Sequence, residues 1–298
     1  YLILSIFHFL VFLFPASFMS DQFRYQNMVS ELRSFSLSYD DNYKVTITGW
    51  LLSLVPLPFI ETVKSLGFYN RFLYMLVFVW LYRKSFLSGI PLYILLFYPS
   101  LLLYTSLSLR DPLIIFIMII SVVFLIDGKY FKSFLIISPL FLLKFQNFFL
   151  VLVLYFLTLI YREKTLLYRN RYIIIIFTII LILPFLTDII TLLDFYRAAM
   201  YREDEGDMED YIHINNITDF IILGLTTVPY FIFKPLLWEA HNTLQIIQSF
   251  ENIFLFIFLF IFSKYAYIES KIITTKWIVF LILSFLLYGL VVYNFGTA

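Results

Sequence analysis

Residues 112–126 read PLIIFIMIISVVFLI, a stretch without a charge that lies between Asp111 and Asp127. Such a run is compatible with the hydrocarbon core of a membrane, where charged groups are costly. The same bias extends along all 298 residues, of which 62% are hydrophobic and 14% charged, against about 45–50% and about 25% in soluble domains. One soluble core cannot bury so much apolar surface. The sequence therefore predicts an all-α, polytopic integral membrane protein.

Several other segments approach the roughly 20 apolar residues that a bilayer crossing needs. With the quoted stretch, the predicted spans are Tyr1–Met19, Phe68–Leu81, Phe86–Tyr104, Pro112–Ile126, Tyr172–Thr187, Phe250–Phe262 and Trp277–Tyr293. Two shorter runs, Phe134–Leu143 and Phe148–Tyr161, flank a polar interruption and predict a hairpin of short helices. The proline-containing segments Gly49–Ile60 and Phe220–Phe233 are predicted to be re-entrant or interfacial. We expect about 9–11 spanning or re-entrant helices.

The charges sort between the two predicted faces of the membrane. The short loops on one face hold 11 of the 21 basic residues and three of the 20 acidic ones. Because lysine and arginine in short loops favour the cytoplasm, that face is predicted to be cytoplasmic. The long polar segments 20–67 and 188–249 then face outward. We expect one transmembrane domain over residues 1–298, trimmed at both ends.

The composition also excludes several function classes. The chain has no cysteine, which excludes thiol catalysis, disulfides and cysteine-bound metals. Its three histidines are too scattered for a zinc motif, and a net charge of +1 gives no sign of a nucleic-acid partner. The usual nucleotide-binding, metalloprotease and serine-hydrolase motifs are absent. No cofactor is therefore predicted. No metal is predicted either, because lysine and arginine side chains could supply positive charge, and a divalent ion bound by carboxylates is the alternative.

Two places in the first half of the chain carry candidate binding residues. Asp21 and Arg24 follow the first predicted span, where they could bind a charged head group or form an ordinary solvated helix end. Arg110 precedes a helix start at Pro112, and its planar fork can hold two phosphate oxygens. Asp111 would cap that helix or orient the arginine. An Arg–Asp pair at the membrane interface is the alternative.

Lys144 and Gln146 form the polar interruption between the two short helices. An ionisable residue at membrane depth is a functional candidate by default, so both side chains are predicted to point into the helical bundle. The alternative is a lysine that reaches the head groups from the end of a helix.

The second outward segment holds candidate acid–base chemistry. Lys234, Trp238, Glu239 and His241 lie within eight residues of one another, before the predicted span that begins at Phe250. The carboxylate or the imidazole could accept a proton beside the lysine cation. An interfacial aromatic belt with charged neighbours is the alternative.

In their order along the chain, these elements resemble the Wzy-type oligosaccharide repeat-unit polymerases of O-antigen and capsule, and related polyprenyl-dependent membrane glycosyltransferases. The motifs that carry the resemblance are Asp21-x-x-Arg24-Tyr25, Leu66-Gly67-Phe68-Tyr69-Asn70, Tyr98-Pro99-Ser100, Ser108-Leu109-Arg110-Asp111, Leu143-Lys144-Phe145-Gln146-Asn147, Lys234-Pro235-x-x-Trp238-Glu239-x-x-Asn242 and Asn294-Phe295-Gly296-Thr297. The chain departs from the expected pattern at Lys144 and Lys234, where arginine is expected. A further arginine is expected soon after Thr297.

The resemblance implies a GT-C-like fold and an enzyme that polymerises undecaprenyl-diphosphate-linked oligosaccharides at the outer face of a bacterial inner membrane. Membrane lipids and a chain-length regulator protein would be its partners. The acceptor's base would be Asp21, Glu239 or His241. The diphosphate and glycan would be bound by Arg24, Arg110, Lys144, Gln146, Lys234 and Trp238. The alternatives are a transferase that uses a polyprenyl-monophosphate sugar, a lipid-linked glycan flippase or other transporter, and an accessory membrane subunit.

The charge distribution predicts that position 206 lies outside and position 168 inside. Single cysteines introduced there in this cysteine-free chain should report the topology through an impermeant thiol reagent. In intact spheroplasts we expect labelling of Gly206→Cys and none of Tyr168→Cys. The reverse pattern would invert the predicted orientation.

Overall fold

A computed structural model describes residues 21–36, 39, 42–54, 62–162, 166–203, 211–241 and 243–291, and the regular elements in these ranges are all helices. The all-α prediction is confirmed. The predicted span Tyr1–Met19 lies outside the described residues. The chain separates into two compact units after Val151.

The first unit consists of short and medium helices. They are α1 Asp21–Arg33, α2 Tyr43–Ser53, α3 Val63–Arg83, α4 Ile90–Phe97, α5 Pro99–Tyr104, α6 Asp111–Ile126, α7 Tyr130–Ile137, α8 Leu140–Leu143 and α9 Phe145–Ile160, of which α9 continues into the second unit. Apolar side chains of α1, α2 and α3 form one core with Leu107 and Leu109. A second core joins α6, α8 and α9.

The second unit contains the longest apolar helices. Its elements are α10 Leu166–Arg169, α11 Arg171–Ile182, a 3₁₀ turn Leu183–Phe185, α12 Leu186–Glu203, α13 Ile217–Phe233, α14 Thr243–Glu269 and α15 Lys271–Val291. Three helical stretches are long and apolar enough to cross a membrane: Tyr172–Ala199, Gln245–Glu269 and Ile273–Leu290. Within the most apolar 18 residues of each stretch, only 6%, 11% and 17% are buried inside the protein. Lipid is therefore the environment that suits their surfaces.

Several predicted segments differ from the observed helices. The predicted span Phe86–Tyr104 is two short helices, because Tyr98 is extended and Pro99 cannot donate a helical hydrogen bond. The predicted outward segment 188–249 is largely helical, since the helix before it continues through Pro184 by a 3₁₀ turn and runs on to Glu203. The number of membrane crossings stays a prediction.

Helices α6 and α7 form an antiparallel hairpin that is held by a serine pair within the helices and by charged residues at the turn. Between them, the hydroxyls of Ser121 and Ser133 each donate to the other residue's carbonyl, at 3.0 and 2.9 Å. At the turn, Asp127 receives a hydrogen bond from Lys84 and lies 3.7 Å from Lys129. That hydrogen bond holds the pKa of the Asp127 carboxyl below its usual value.

The predicted break within the polar stretch after α8 is confirmed. Lys144 has φ −158° and ψ 90°, an extended conformation that ends α8 and lets α9 begin at Phe145. The Phe141 and Phe145 rings make an edge-to-face contact across the break, with 5.6 Å between their centroids. The helices therefore change direction at a polar residue with apolar neighbours.

Gly67 sets how closely α3 approaches the non-helical segment before α6. A Cβ at position 67 would lie 2.5 Å from the Ser106 carbonyl oxygen, a contact with backbone that cannot rotate away. Only a glycine allows the two to be in contact here.

We predict that Gly67→Ala destabilises the protein by roughly 1–3 kcal/mol, the usual cost of overpacking. Thermal unfolding of the purified protein in detergent would measure it. Gly224→Ala is the matched control, because a Cβ there would meet only Leu286 Cδ2 and Leu290 Cδ2, at an ordinary 3.7 and 4.0 Å. Equal melting temperatures for the two variants would contradict the close contact.

Candidate functional site

The segment Thr105–Leu109 is non-helical backbone, and side chains satisfy several of its polar groups. The Asn70 amide donates to the carbonyls of Leu107 and Leu109, at 2.7 and 3.0 Å. The Ser108 N–H donates to Gln22 Oε1 at 3.1 Å. Because buried backbone groups are costly without partners, these bonds fix the path of the chain into α6.

Arg71 also holds this segment, and sequence reasoning missed it. Its side chain is buried, and its Nη2 donates to the Ser106 hydroxyl at 2.8 Å. The Arg71 Nε has no hydrogen-bond partner within the described ranges. A charged residue in an apolar predicted span was the signal that could have identified it.

Arg110 stands at the start of α6, as predicted, with its side chain half-buried. It occupies the N-cap position, and no side chain caps the helix there. Within the part of the chain that the structure describes, its guanidinium makes no hydrogen bond or ion pair. The planar fork is thus available to an anion, beside the positive end of the α6 dipole.

Asp111 does not have either role predicted for it. It does not cap the helix, and its partner is Lys144 rather than Arg110, with 3.3 Å between Nζ and Oδ1. The physical reason is the break after α8, which brings a cation to the first turn of α6. Lys144 thereby neutralises the carboxylate that would otherwise compete for Arg110.

Tyr25 of α1 lies close to four of these charges. Burial raises the pKa of its phenol to about 12, and the charges of Arg110, Asp21, Asp111 and Arg24 all act on it. Asp21 and Arg24 are exposed on the first turn of the same helix. Three cations and two carboxylates that the sequence singled out are therefore neighbours in the first unit.

Gln146 and Asn147 lie on the first turn of α9, directly after the break at Lys144. Asn147 donates to the Met118 sulfur at 3.0 Å, which ties α9 to α6. Gln146 is half-buried and makes no hydrogen bond with another described residue. It belongs to the same end of the unit as Lys144.

In the second unit, the predicted residues share one turn between α13 and α14. Lys234 Nζ lies 4.0 Å from Glu239 Oε2 and 4.6 Å from the centre of the Tyr230 ring. Ser249 donates to the Pro235 carbonyl at 2.6 Å, which fastens the turn to α14. The other two predicted residues, Trp238 and His241, are exposed there.

A second polar cluster in this unit was not predicted as a site. His213 Nδ1 lies 2.8 Å from Asp194 Oδ2, while Asp194 Oδ1 accepts from the Tyr211 hydroxyl and the Ile214 N–H, both at 2.9 Å. The buried Arg197 guanidinium donates to the Ile212 carbonyl at 2.5 Å. The partners are 15 to 20 residues apart in the sequence, and no local pattern indicates the pairing.

No group of three or more histidine, aspartate or glutamate side chains that could hold a metal ion occurs in the described ranges. The expectation that the protein works without a metal stays a prediction. Comparison of the chain with protein-family models, with curated proteins and with solved structures gives no match.

The arrangement at α6 predicts anion binding that the Lys144–Asp111 pair modulates in opposite directions. Inorganic diphosphate should raise the melting temperature of the purified protein. Lys144→Met should weaken its binding and Asp111→Asn should strengthen it, each by up to about fivefold, because partly exposed pairs are worth about 0.2–1 kcal/mol. Lys129→Met removes a cation from the far end of α6 and should leave diphosphate affinity unchanged. Equal effects of the three variants would refute local control by this pair.

Proposed function

We propose that the protein is a membrane glycosyltransferase that polymerises undecaprenyl-diphosphate-linked oligosaccharide repeat units at the outer face of a bacterial inner membrane. The observation that carries this proposal is the unengaged Arg110 fork at the start of α6, with Lys144 neutralising the adjacent carboxylate. A cation held without a partner beside a helix N terminus suits a phosphate-bearing substrate.

The proposed reaction requires stabilisation of its diphosphate leaving group. In the proposed reaction the bond between the anomeric carbon and the diphosphate oxygen breaks, and negative charge grows on that oxygen. Arg110 would donate two parallel hydrogen bonds to the diphosphate, with Arg24 adding positive charge near the Tyr25 phenol. Because the guanidinium has no acidic partner among the described residues, no ion pair has to break when the diphosphate binds.

The long apolar helices of the protein support a lipid-linked substrate. Three helices are long and apolar enough for a membrane, and their surfaces are largely unburied in the chain itself. In the first unit, the proposed anion site at Asp111 and the basic cluster at Asp127 lie at opposite ends of α6. This separation agrees with an outward site and a cytoplasmic basic loop.

The acceptor hydroxyl needs a base, for which Asp21, Glu239 and His241 were predicted. Asp21 is exposed beside the proposed anion site, whereas Glu239 is engaged by Lys234 and by the Leu236 N–H at 3.4 Å. All three stay candidates on these contacts.

We predict that Arg110→Ala, expressed in cells that lack the chromosomal gene, lowers polymer formation by about 10²–10³-fold at near-normal expression. Arg110→Lys should recover little activity, because a point charge lacks the two-pronged geometry. Gel analysis of surface-glycan chain length measures the result. Arg83→Ala, an exposed arginine at the other end of the same unit, is the matched control and should leave polymer intact.

The rival functions give different products in the same cells. Loss of a polymerase leaves single lipid-linked repeat units on the outer side, whereas loss of a flippase traps them on the cytoplasmic side. Loss of a single-sugar transferase leaves chains of normal length with altered composition. Wild-type polymer in the Arg110→Ala cells would overturn the proposed role of the arginine.

A further inference from the structure

One tyrosine of α1 is buried as a core residue, yet its hydroxyl has no partner in the described chain. The Tyr25 side chain is 3% exposed, and it belongs to the core that α1, α2 and α3 form with Leu107 and Leu109. Its hydroxyl makes no hydrogen bond with any residue that the structure describes. The fully enclosed polar atoms that lack a partner there do not include this oxygen, so it keeps some access to solvent. A polar group of this kind is costly unless something outside the chain completes its bonding.

The hydroxyl lies beside the charges at the start of α6. Burial raises the pKa of the Tyr25 phenol to about 12, and the charge that acts on it most strongly is that of Arg110. The Gln22 amide oxygen ties α1 to the segment before α6, because it accepts the Ser108 N–H at 3.1 Å. The packed ring and this hydrogen bond hold the tyrosine in place at the candidate anion site. All of these residues belong to the first unit.

At neutral pH the Tyr25 hydroxyl keeps its proton, because its pKa is so far above 7. It is therefore a neutral hydrogen-bond donor. The charges of Asp21 and Asp111 act on it, but it donates to neither carboxylate, and Asp111 is paired with Lys144 at 3.3 Å. The donor stays unused in a cluster where cations outnumber carboxylates. An anion is the ligand that such a cluster favours.

We propose that the Tyr25 hydroxyl donates a hydrogen bond to a phosphate oxygen of the same anion that the Arg110 guanidinium binds. The ligand class is a diphosphate, and its identity as the lipid carrier's diphosphate rests on the proposed function. The proton stays on the phenol oxygen throughout, so the tyrosine transfers no proton. Its contribution is a directed, uncharged donor beside a cation, which stabilises negative charge on the phosphate oxygens.

A purely structural role explains the ring of Tyr25 and leaves its hydroxyl unexplained. The ring fills a core that includes Met28, Val29 and Leu66, and a phenylalanine ring would make the same apolar contacts. A water molecule is the other partner that the hydroxyl could have. If water alone satisfied it, removal of the hydroxyl would leave anion affinity unchanged.

Tyr25→Phe separates the two roles, because it removes the hydroxyl and keeps the ring. The experiment titrates inorganic diphosphate into the purified full chain in detergent, followed by calorimetry. We expect Tyr25→Phe to weaken diphosphate binding by roughly 10–100-fold, the range for a hydrogen bond to a charged group. The melting temperature without diphosphate should stay at the wild-type value, since the hydroxyl makes no hydrogen bond with the described chain.

Tyr69→Phe is the matched control. Tyr69 packs against the same core, and its hydroxyl also makes no hydrogen bond with a described residue. None of the four charges that act on Tyr25 acts on the Tyr69 hydroxyl. This variant should bind diphosphate with wild-type affinity, because it loses a similar hydroxyl away from the proposed anion.

Wild-type diphosphate affinity in Tyr25→Phe would overturn the inference. A loss that Tyr69→Phe shares, or one that follows the melting temperature, would overturn it as well. If Arg110→Ala still loses diphosphate binding in those cases, the proposed function keeps its supporting observation. Weakened binding in Tyr25→Phe together with wild-type polymer in Arg110→Ala cells would support the hydrogen bond and refute the proposed function. A wild-type protein that does not bind inorganic diphosphate would overturn both.

Discussion

Non-helical backbone in an apolar protein must find its hydrogen-bond partners inside the chain, and the segment before α6 obeys this constraint. Asn70 binds two of its carbonyls and Gln22 one of its N–H groups, and Gly67 lets the Ser106 carbonyl approach α3 closely. This arrangement fixes where α6 begins. Arg110 follows this fixed segment at the start of a helix, so the position of its backbone is set before any anion arrives.

The charges of the first unit act in pairs because a lone ion at low dielectric is costly. Lys144 with Asp111 and Lys84 with Asp127 place one ion pair at each end of α6, a helix of 16 residues, or about 24 Å. The pair with Lys144 removes Asp111, the carboxylate next to Arg110, from competition for the arginine. Arg110 lies beside the Lys144–Asp111 pair and has no acidic partner among the described residues, which is why its fork directs the functional proposal.

The second unit handles its polar groups differently. Its cluster is built around a single carboxylate, Asp194, which serves both a structural purpose and an orienting one. The turn at Lys234 instead uses an ion pair and carbonyl contacts with α14, and it leaves Trp238 exposed. The Asp194 cluster thus orients the His213 imidazole, whereas the turn at Lys234 exposes the Trp238 ring.

The sequence by itself determined the helical class, most apolar segments and the break at Lys144. Hydropathy and the positions of proline are local properties, and they act wherever the chain folds. It also singled out Asp21, Arg24, Arg110 and Lys144 as candidate site residues, because charged residues beside apolar runs are unusual. It did not foresee the division of Phe86–Tyr104 into two helices or the helical continuation to Glu203.

Only the tertiary structure decided which charges meet. Asp111 lies next to Arg110 in the chain, yet it binds Lys144, 33 residues away, because the return of α7 and α8 brings that cation to the start of α6. Asp194 and His213 are 19 residues apart, and the folded chain places the imidazole 2.8 Å from the carboxylate. Such pairings depend on the path of the whole chain, and adjacency in sequence does not encode them.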